Sequence, residues 1–281
     1  MSTDDQKPRH PLCMACNLQI GGISATRIIL WLVALTIISF FIGFGILALS
    51  GDFPPQPGQA VSPFRHTTIL TPNTTVIPLD GATEGDVRIT LGAGDLSLQG
   101  GAPATALMES TVFSTAAVWQ PELVQGINGS VKSVTMTEKG HKGKEWFAVD
   151  SPNNWAISLN DQVPLRLSVN VGAGDNLLDL GTLNLETLKV QTAAGDTIID
   201  LGGYHGERYD AVINCGVGDL TLRVPRDSNT RIRVHNALGD IDNRGFVQDD
   251  DQFVTAVFNS SQAVNEITLN QGIGSLTLES I

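Results

Sequence analysis

Apolar and polar residues alternate along much of this chain, and the alternation breaks at a recurring glycine–aspartate step. Before one such step Val87, Ile89 and Leu91 alternate with Arg88 and Thr90. The same three apolar offsets hold Leu167, Val169, Val171; Leu188, Val190, Thr192; Ala211, Ile213, Cys215; and Ile232, Val234, Asn236. Between them stand mostly polar residues: Ser168, Asn170; Lys189, Gln191; Val212, Asn214; Arg233, His235. After the step, Leu96, Leu98; Leu178, Leu180; Ile199, Leu201; and Leu220, Leu222, Val224 take inward positions, while Gln99, Asp179, Asp200 and Arg223 face out. A period of two with one apolar face is a half-buried strand. Each unit therefore reads as strand, glycine turn, strand.

The steps form an internal repeat: LGAGDLSLQG at Leu91–Gly100, VGAGDNLLDLG at Val171–Gly181, AAGDTIIDLGG at Ala193–Gly203 and CGVGDLTLRV at Cys215–Val224. Weaker copies lie at Ala237–Asp240 and Gly272–Leu278. Its aspartates are Asp95, Asp175, Asp196, Asp219 and Asp240, with successive intervals of 21, 23 and 21 residues after Asp175. A unit that cannot bury its apolar face alone buries it by stacking. The expected fold is all-β: a parallel β-solenoid of about 21-residue coils, with neighbouring strands about 4.8 Å apart. A sandwich of repeated hairpins also favours Gly-Asp turns and stays open. Glycine suits a sharp bend needing positive φ or close backbone approach. The aspartate can accept turn N–H groups.

The first copy is separated from the second by a less periodic insert, Gly101–Val163, with Trp119, Trp146, Trp155 and a basic cluster, Lys139, His141, Lys142 and Lys144. We expect the insert to be a β-rich cap protecting one exposed strand edge. The last copy, Glu266–Ile281, has Ser275 at the aspartate position. It is expected to close the other end.

Ile28–Leu49 contains no charged residue. As a helix it would span roughly 33 Å, against a hydrocarbon core of about 30 Å. The run is longer than a signal-peptide core, and neither an A-x-A site nor a lipobox cysteine follows it. An uncleaved anchor is expected. Lys7, Arg9 and Arg27 precede it, Asp52 follows it, and the next basic residue is Arg65. That asymmetry places the N-terminus in the cytoplasm and the C-terminal part outside the cell membrane. The expected organisation is a tail at 1–27, a transmembrane helix at 28–49, a proline-rich linker at 50–66, a β-rich part at 67–165 and repeats at 166–281.

The net charge of −12 argues against general nucleic-acid binding, which needs a basic face. Three cysteines make no disulfide framework. His10, Cys13 and Cys16 are three potential ligands where a structural zinc site wants four, usually as two pairs, so reduced thiols in a cytoplasmic tail are the plainer reading. The stacked aspartates raise calcium binding and glycoside cleavage, since two carboxylates about 5 Å apart suit a retaining glycosidase. Recurrence in every copy points instead to turn capping. Cys215 sits at an inward offset and His235 at an outward one, so no dyad is expected. Asn170, Gln191, Asn214 and His235 share one outward offset, as a solvated face or an amide ladder suited to glycan hydroxyls. Asn73, Asn128 and Asn259 fit N-x-[ST], a frequent chance match. No catalytic, cofactor-binding or metal-ligating set is expected.

The stretch Asn153–Gly203, with its tryptophan, then VPL, then GAGD, and VGDLTLRVP at Val217–Pro225 resemble the bacterial toast-rack domain family. The resemblance covers roughly Thr83–Ile281. It is also similar to the C-terminal domain of membrane proteins linked to cell-wall-active-antibiotic responses, but with one span rather than several. The resemblance implies a β-solenoid-like fold behind a membrane anchor. The expected function is non-enzymatic binding, sensing or scaffolding in the bacterial cell envelope. The expected contacts are the bilayer through 28–49, and a cell-wall polymer or another envelope protein. A surface adhesin or polysaccharide-acting enzyme is the alternative.

Overall fold

A computed structural model describes residues 71–114, 121–139, 153–203, 208–249, 252–262 and 264–281. The expected tail, anchor and linker lie outside these residues, as do His10, Cys13, Cys16, Trp119, His141, Lys142, Lys144 and Trp146. The described part is all-β. Its strands are β1 (Thr71–Pro78), β2 (Glu84–Ala93), β3 (Asp95–Gln99), β4 (Ala106–Ser114), β5 (Pro121–Asn128), β6 (Val131–Glu138), β7 (Asn153–Leu159), β8 (Leu165–Ala173), β9 (Asn176–Asp179) and β10 (Leu185–Ala194). There follow β11 (Thr197–Asp200), β12 (Asp210–Val217), β13 (Leu220–Val224), β14 (Thr230–Leu238), β15 (Ile241–Arg244), β16 (Val247–Asp249), β17 (Gln252–Val254), β18 (Asn265–Ile273) and β19 (Leu276–Ser280).

Two sheets form. One has nine strands in the order β1-β4-β7-β3-β9-β11-β13-β19-β15; the other has ten, β16-β17-β14-β18-β12-β10-β8-β2-β6-β5. Each repeat gives its first strand to the ten-stranded sheet and its second to the nine-stranded sheet. The two strands of a repeat therefore do not pair as a hairpin. Equivalent strands of different repeats pair in parallel: Val190 sits beside Val169 and Ile213, and Ile199 beside Leu178 and Leu222. The inward rows are the expected ones. Val87, Leu188, Val190, Ile213, Leu222 and Leu278 are at most 0% exposed. Burying one such side chain contributes about 1.5–3 kcal/mol, and the rows join in one hydrophobic core.

The glycine before each aspartate has positive φ, 117° at Gly195. A Cβ there would lie 2.1 Å from the Gly174 carbonyl oxygen of the neighbouring repeat. The sequence choice thus permits both the bend and the close approach of stacked turns. Alanine occurs three residues before the aspartate at Ala193 and Ala237, but the residue just before it is glycine in all six copies.

One expectation is overturned. The last repeat does not close the stack. β18 lies between β12 and β14, and β19 between β13 and β15. The outermost repeat is therefore Thr230–Arg244, bordered on β14 by the antiparallel β17. The final strands insert one place inside it. At the opposite end the insert, joined by β1 from before the first repeat, extends both sheets: β6 and β5 continue from β2, while β7, β4 and β1 continue from β3. Trp155 on β7 is buried and its indole N–H donates to Asn153 Oδ1 at 2.9 Å.

Candidate functional site

The turn edge carries the aspartates in one spatial row, 95, 175, 196, 219, then Ser275, then 240. The carboxylates of Asp95, Asp175, Asp196 and Asp219 each cap the next repeat. Asp95 Oδ1 accepts the Asp175 N–H at 3.1 Å, Asp175 Oδ1 the Asp196 N–H at 3.1 Å, and Asp196 Oδ1 the Asp219 N–H at 2.9 Å. Asp219 Oδ1 accepts the Ser275 N–H at 2.8 Å. The sequence expectation of turn capping is met, with the partner in the adjacent repeat rather than in the same turn. A backbone N–H left without a partner is costly, and here the side chain supplies the acceptor.

On the outer face of the nine-stranded sheet a charged row crosses four strands. Arg223 lies between Asp200 (3.3 Å) and Glu279 (2.8 Å), and Glu279 also meets Arg244 at 2.7 Å. Hydrogen bonds donated to Glu279 and then to Asp200 raise the Arg223 pKa. Half-buried at the sheet surface and still reached by water, such pairs contribute little individually. Nearer the turns the same face has a groove of about 510 Å³, lined by Asp95, Asp175 and Asp196 beside Phe113, Leu177 and Ile198.

The ten-stranded sheet presents the amide row. Thr90, Asn170, Gln191, Asn214, Asn270 and His235 are consecutive cross-strand neighbours. Asn270 Nδ2 donates to Asn214 Oδ1 at 2.7 Å. Asn270 stands five residues before Ser275, as Gln191 does before Asp196, and joins the row that sequence alone assigned to Asn170, Gln191, Asn214 and His235. Two residues after Gln191, Asn214 and Asn270, the small residues Ala193, Gly216 and Gly272 line a trough of about 420 Å³ beside the row. One residue further, the three C-terminal repeats carry Val217, Ile273 and Leu238, cross-strand neighbours that are 53%, 53% and 66% exposed. The corresponding residues of the other repeats are Ala93, Ala173 and Ala194.

Cys215 is buried, and desolvation raises its thiol pKa, opposed by a hydrogen bond with Thr192. His235 is exposed on β14, and β18 separates β14 from β12, so the two residues are not brought together. Lys139, Asn73, Asn128 and Asn259 are exposed.

The family model described as the N-terminal domain of toast_rack, DUF2154, matches residues 67–223. The chain belongs to this toast-rack family. No curated protein matches it significantly. Among solved structures, a candidate cell adhesion protein from Clostridium sporogenes is similar over 76% of this chain and 100% of its own, at 20% identity and a TM-score of 0.71. A candidate adhesin from Bacteroides fragilis matches over 75% of this chain and 98% of its own, at 11% identity and a TM-score of 0.30. The first likeness establishes a shared fold.

Proposed function

We propose that this chain is a non-enzymatic binding module of the bacterial cell envelope, built as a short two-sheet β-solenoid. Residues 28–49 anchor it in the membrane, with the N-terminus cytoplasmic and the β-domain outside. The observation that carries the reading is the periodic outer face. One outward offset recurs as a polar row over six neighbouring strands, from Thr90 to His235. Such a surface suits an extended partner held at many equivalent points rather than a small molecule turned over at one. The aspartates that invite a glycosidase reading are committed to backbone N–H groups in four successive repeats. That supports a structural role for them. The C. sporogenes protein is described in terms of adhesion, which favours contact with surfaces as the use of this module.

The test is made on intact cells producing the full chain. Added protease should remove the Arg65–Ile281 part, and surface crosslinking should capture an envelope component. Protection of that part until lysis would overturn the orientation. Absence of any captured component would overturn the binding reading.

A further inference from the structure

The amide row and the trough beside it lie in the middle of the ten-stranded sheet, away from its edges. A peptide strand adding to a sheet needs an edge, so this surface offers it nothing of that kind. What it offers is chemical repetition. Asn170 and Gln191 are exposed, and Asn214 and Asn270 are half-buried. Each carboxamide presents two donors and an acceptor on one planar group. These groups recur at the strand spacing of about 4.8 Å. The row from Asn170 to Asn270 contains no charged side chain. Three residues along the same strands from Asn214 and Asn270 stand the exposed aliphatics Val217 and Ile273. The trough beside the amides is floored by Gly216 and Gly272, with Ala193 at the Gln191 strand, and Val217 and Ile273 do not line it.

We propose that this track binds one extended polysaccharide chain lying across the strands. The carboxamides exchange hydrogen bonds with hydroxyls on the edges of successive sugars. The glycine floor lets the rings approach the backbone. An uncharged row selects a neutral, hydroxyl-rich glycan, and a strongly anionic polymer would meet an acidic chain of net charge −12. This assignment rests on the reading of the domain as a surface binding module, and it names the ligand class and its place.

The test uses the detergent-solubilised full chain, sedimented with insoluble chitin and with microcrystalline cellulose, two neutral glycans. The native chain should sediment with at least one of them. Gln191→Ala with Asn214→Ala should weaken binding about tenfold or more, since several hydrogen bonds are lost together. Asn170→Asp with Gln191→Glu keeps the shape, removes the donors and should do the same. Thr221→Ala with Thr277→Ala, on the outer face of the other sheet, should leave binding unchanged. Thermal melts of each variant show that the domain still folds. Failure of the native chain to sediment with either glycan, or equal sedimentation of both amide variants, overturns the assignment. Where surface crosslinking on intact cells still captures an envelope component, only the glycan track falls; where it captures nothing, the binding reading falls with it.

Discussion

Asp175 Oδ1 accepts the backbone N–H of Asp196, one repeat further on, at 3.1 Å. The bond joins turns rather than strands, and the same link recurs along the row. Its removal tests whether the aspartates are structural. Asp196→Ala takes away the acceptor of the Asp219 N–H and should destabilise the chain by about 1 kcal/mol. Asp196→Asn keeps an acceptor and should cost less. Urea unfolding of the two variants measures the difference, and an alanine variant as stable as the native chain would refute the capping role.

The glycine before each aspartate is under a stricter constraint. Gly195→Ala places a methyl 2.1 Å from the Gly174 carbonyl oxygen at a φ of +117°. Gly101→Ala meets open space at a φ of +90°. Backbone strain alone costs about 1–3 kcal/mol, so Gly101→Ala should fall in that range and Gly195→Ala should exceed it. Similar melting temperatures for the two variants would mean that the stacked turns are not in close contact.

Cys215 gives a pH signature. Burial raises its thiol pKa in the folded chain, so the unfolded chain ionises first as pH rises. Above the ordinary thiol pKa of about 8.5, the unfolded state holds fewer protons and stability falls with pH. In a full chain carrying Cys13→Ser and Cys16→Ser, thiol reagents should modify Cys215 slowly at pH 8 and rapidly in denaturant. Cys215→Ala should flatten the alkaline decline. Rapid modification of the native chain would contradict burial of the thiol.

The register has its own test. Val190 is 0% exposed and its neighbour Gln191 is exposed. Val190→Asp buries an unpaired charge and should unfold the domain, because the cost of several kcal/mol rivals a total stability of about 5–15. Gln191→Asp should change stability by under about 1 kcal/mol. A one-residue slip exchanges the two faces, so a reversed outcome in thermal melts would mark a wrong register.

The alternation around Val190 and Leu222 was readable because the side-chain period of a strand is set by the backbone itself. The glycine–aspartate turn was readable because few residues accept its conformation. The order of the last two repeats was not. The 21 residues from Asp219 to Asp240 match the interval from Asp175 to Asp196, so sequence spacing makes Thr230–Arg244 the next repeat. Nothing in an apolar row of Ile232 and Val234 says which apolar row it lies against. One signal was present: Gln271 stands at an inward offset, where its Nε2 donates to the Gly218 carbonyl at 2.6 Å. That bond ties the last repeat to Cys215–Val224 rather than to the outermost repeat.

The inserted position of β18 and β19 yields the sharpest prediction. Ile267 lies beside Ala211 on one side and Ile232 on the other, and Leu276 beside Leu220 and Ile241. A chain ending at Val264 keeps β14 and β15 but lacks β18 and β19, so β14 retains only its short antiparallel pairing with β17. Residues 230–244 should then lose their amide hydrogen-exchange protection, since the short hairpin with β17 is all that remains and it has no sheet to join. The β8–β13 repeats should keep theirs, and a chain ending at Pro225 should melt within a few degrees of the Val264 chain. Had the last repeat been an end cap, its removal would leave 230–244 paired with β12 and β13 and still protected. Retained protection there would therefore show either that the strand order is wrong or that the outermost repeat slides inward to take the vacant place. A Cys pair engineered at Ala211 and Ile232 separates the two, because only adjacent strands bring those positions within disulfide reach, about 4.4–6.8 Å between Cα atoms. In the intact chain, where β18 intervenes, that pair should stay reduced.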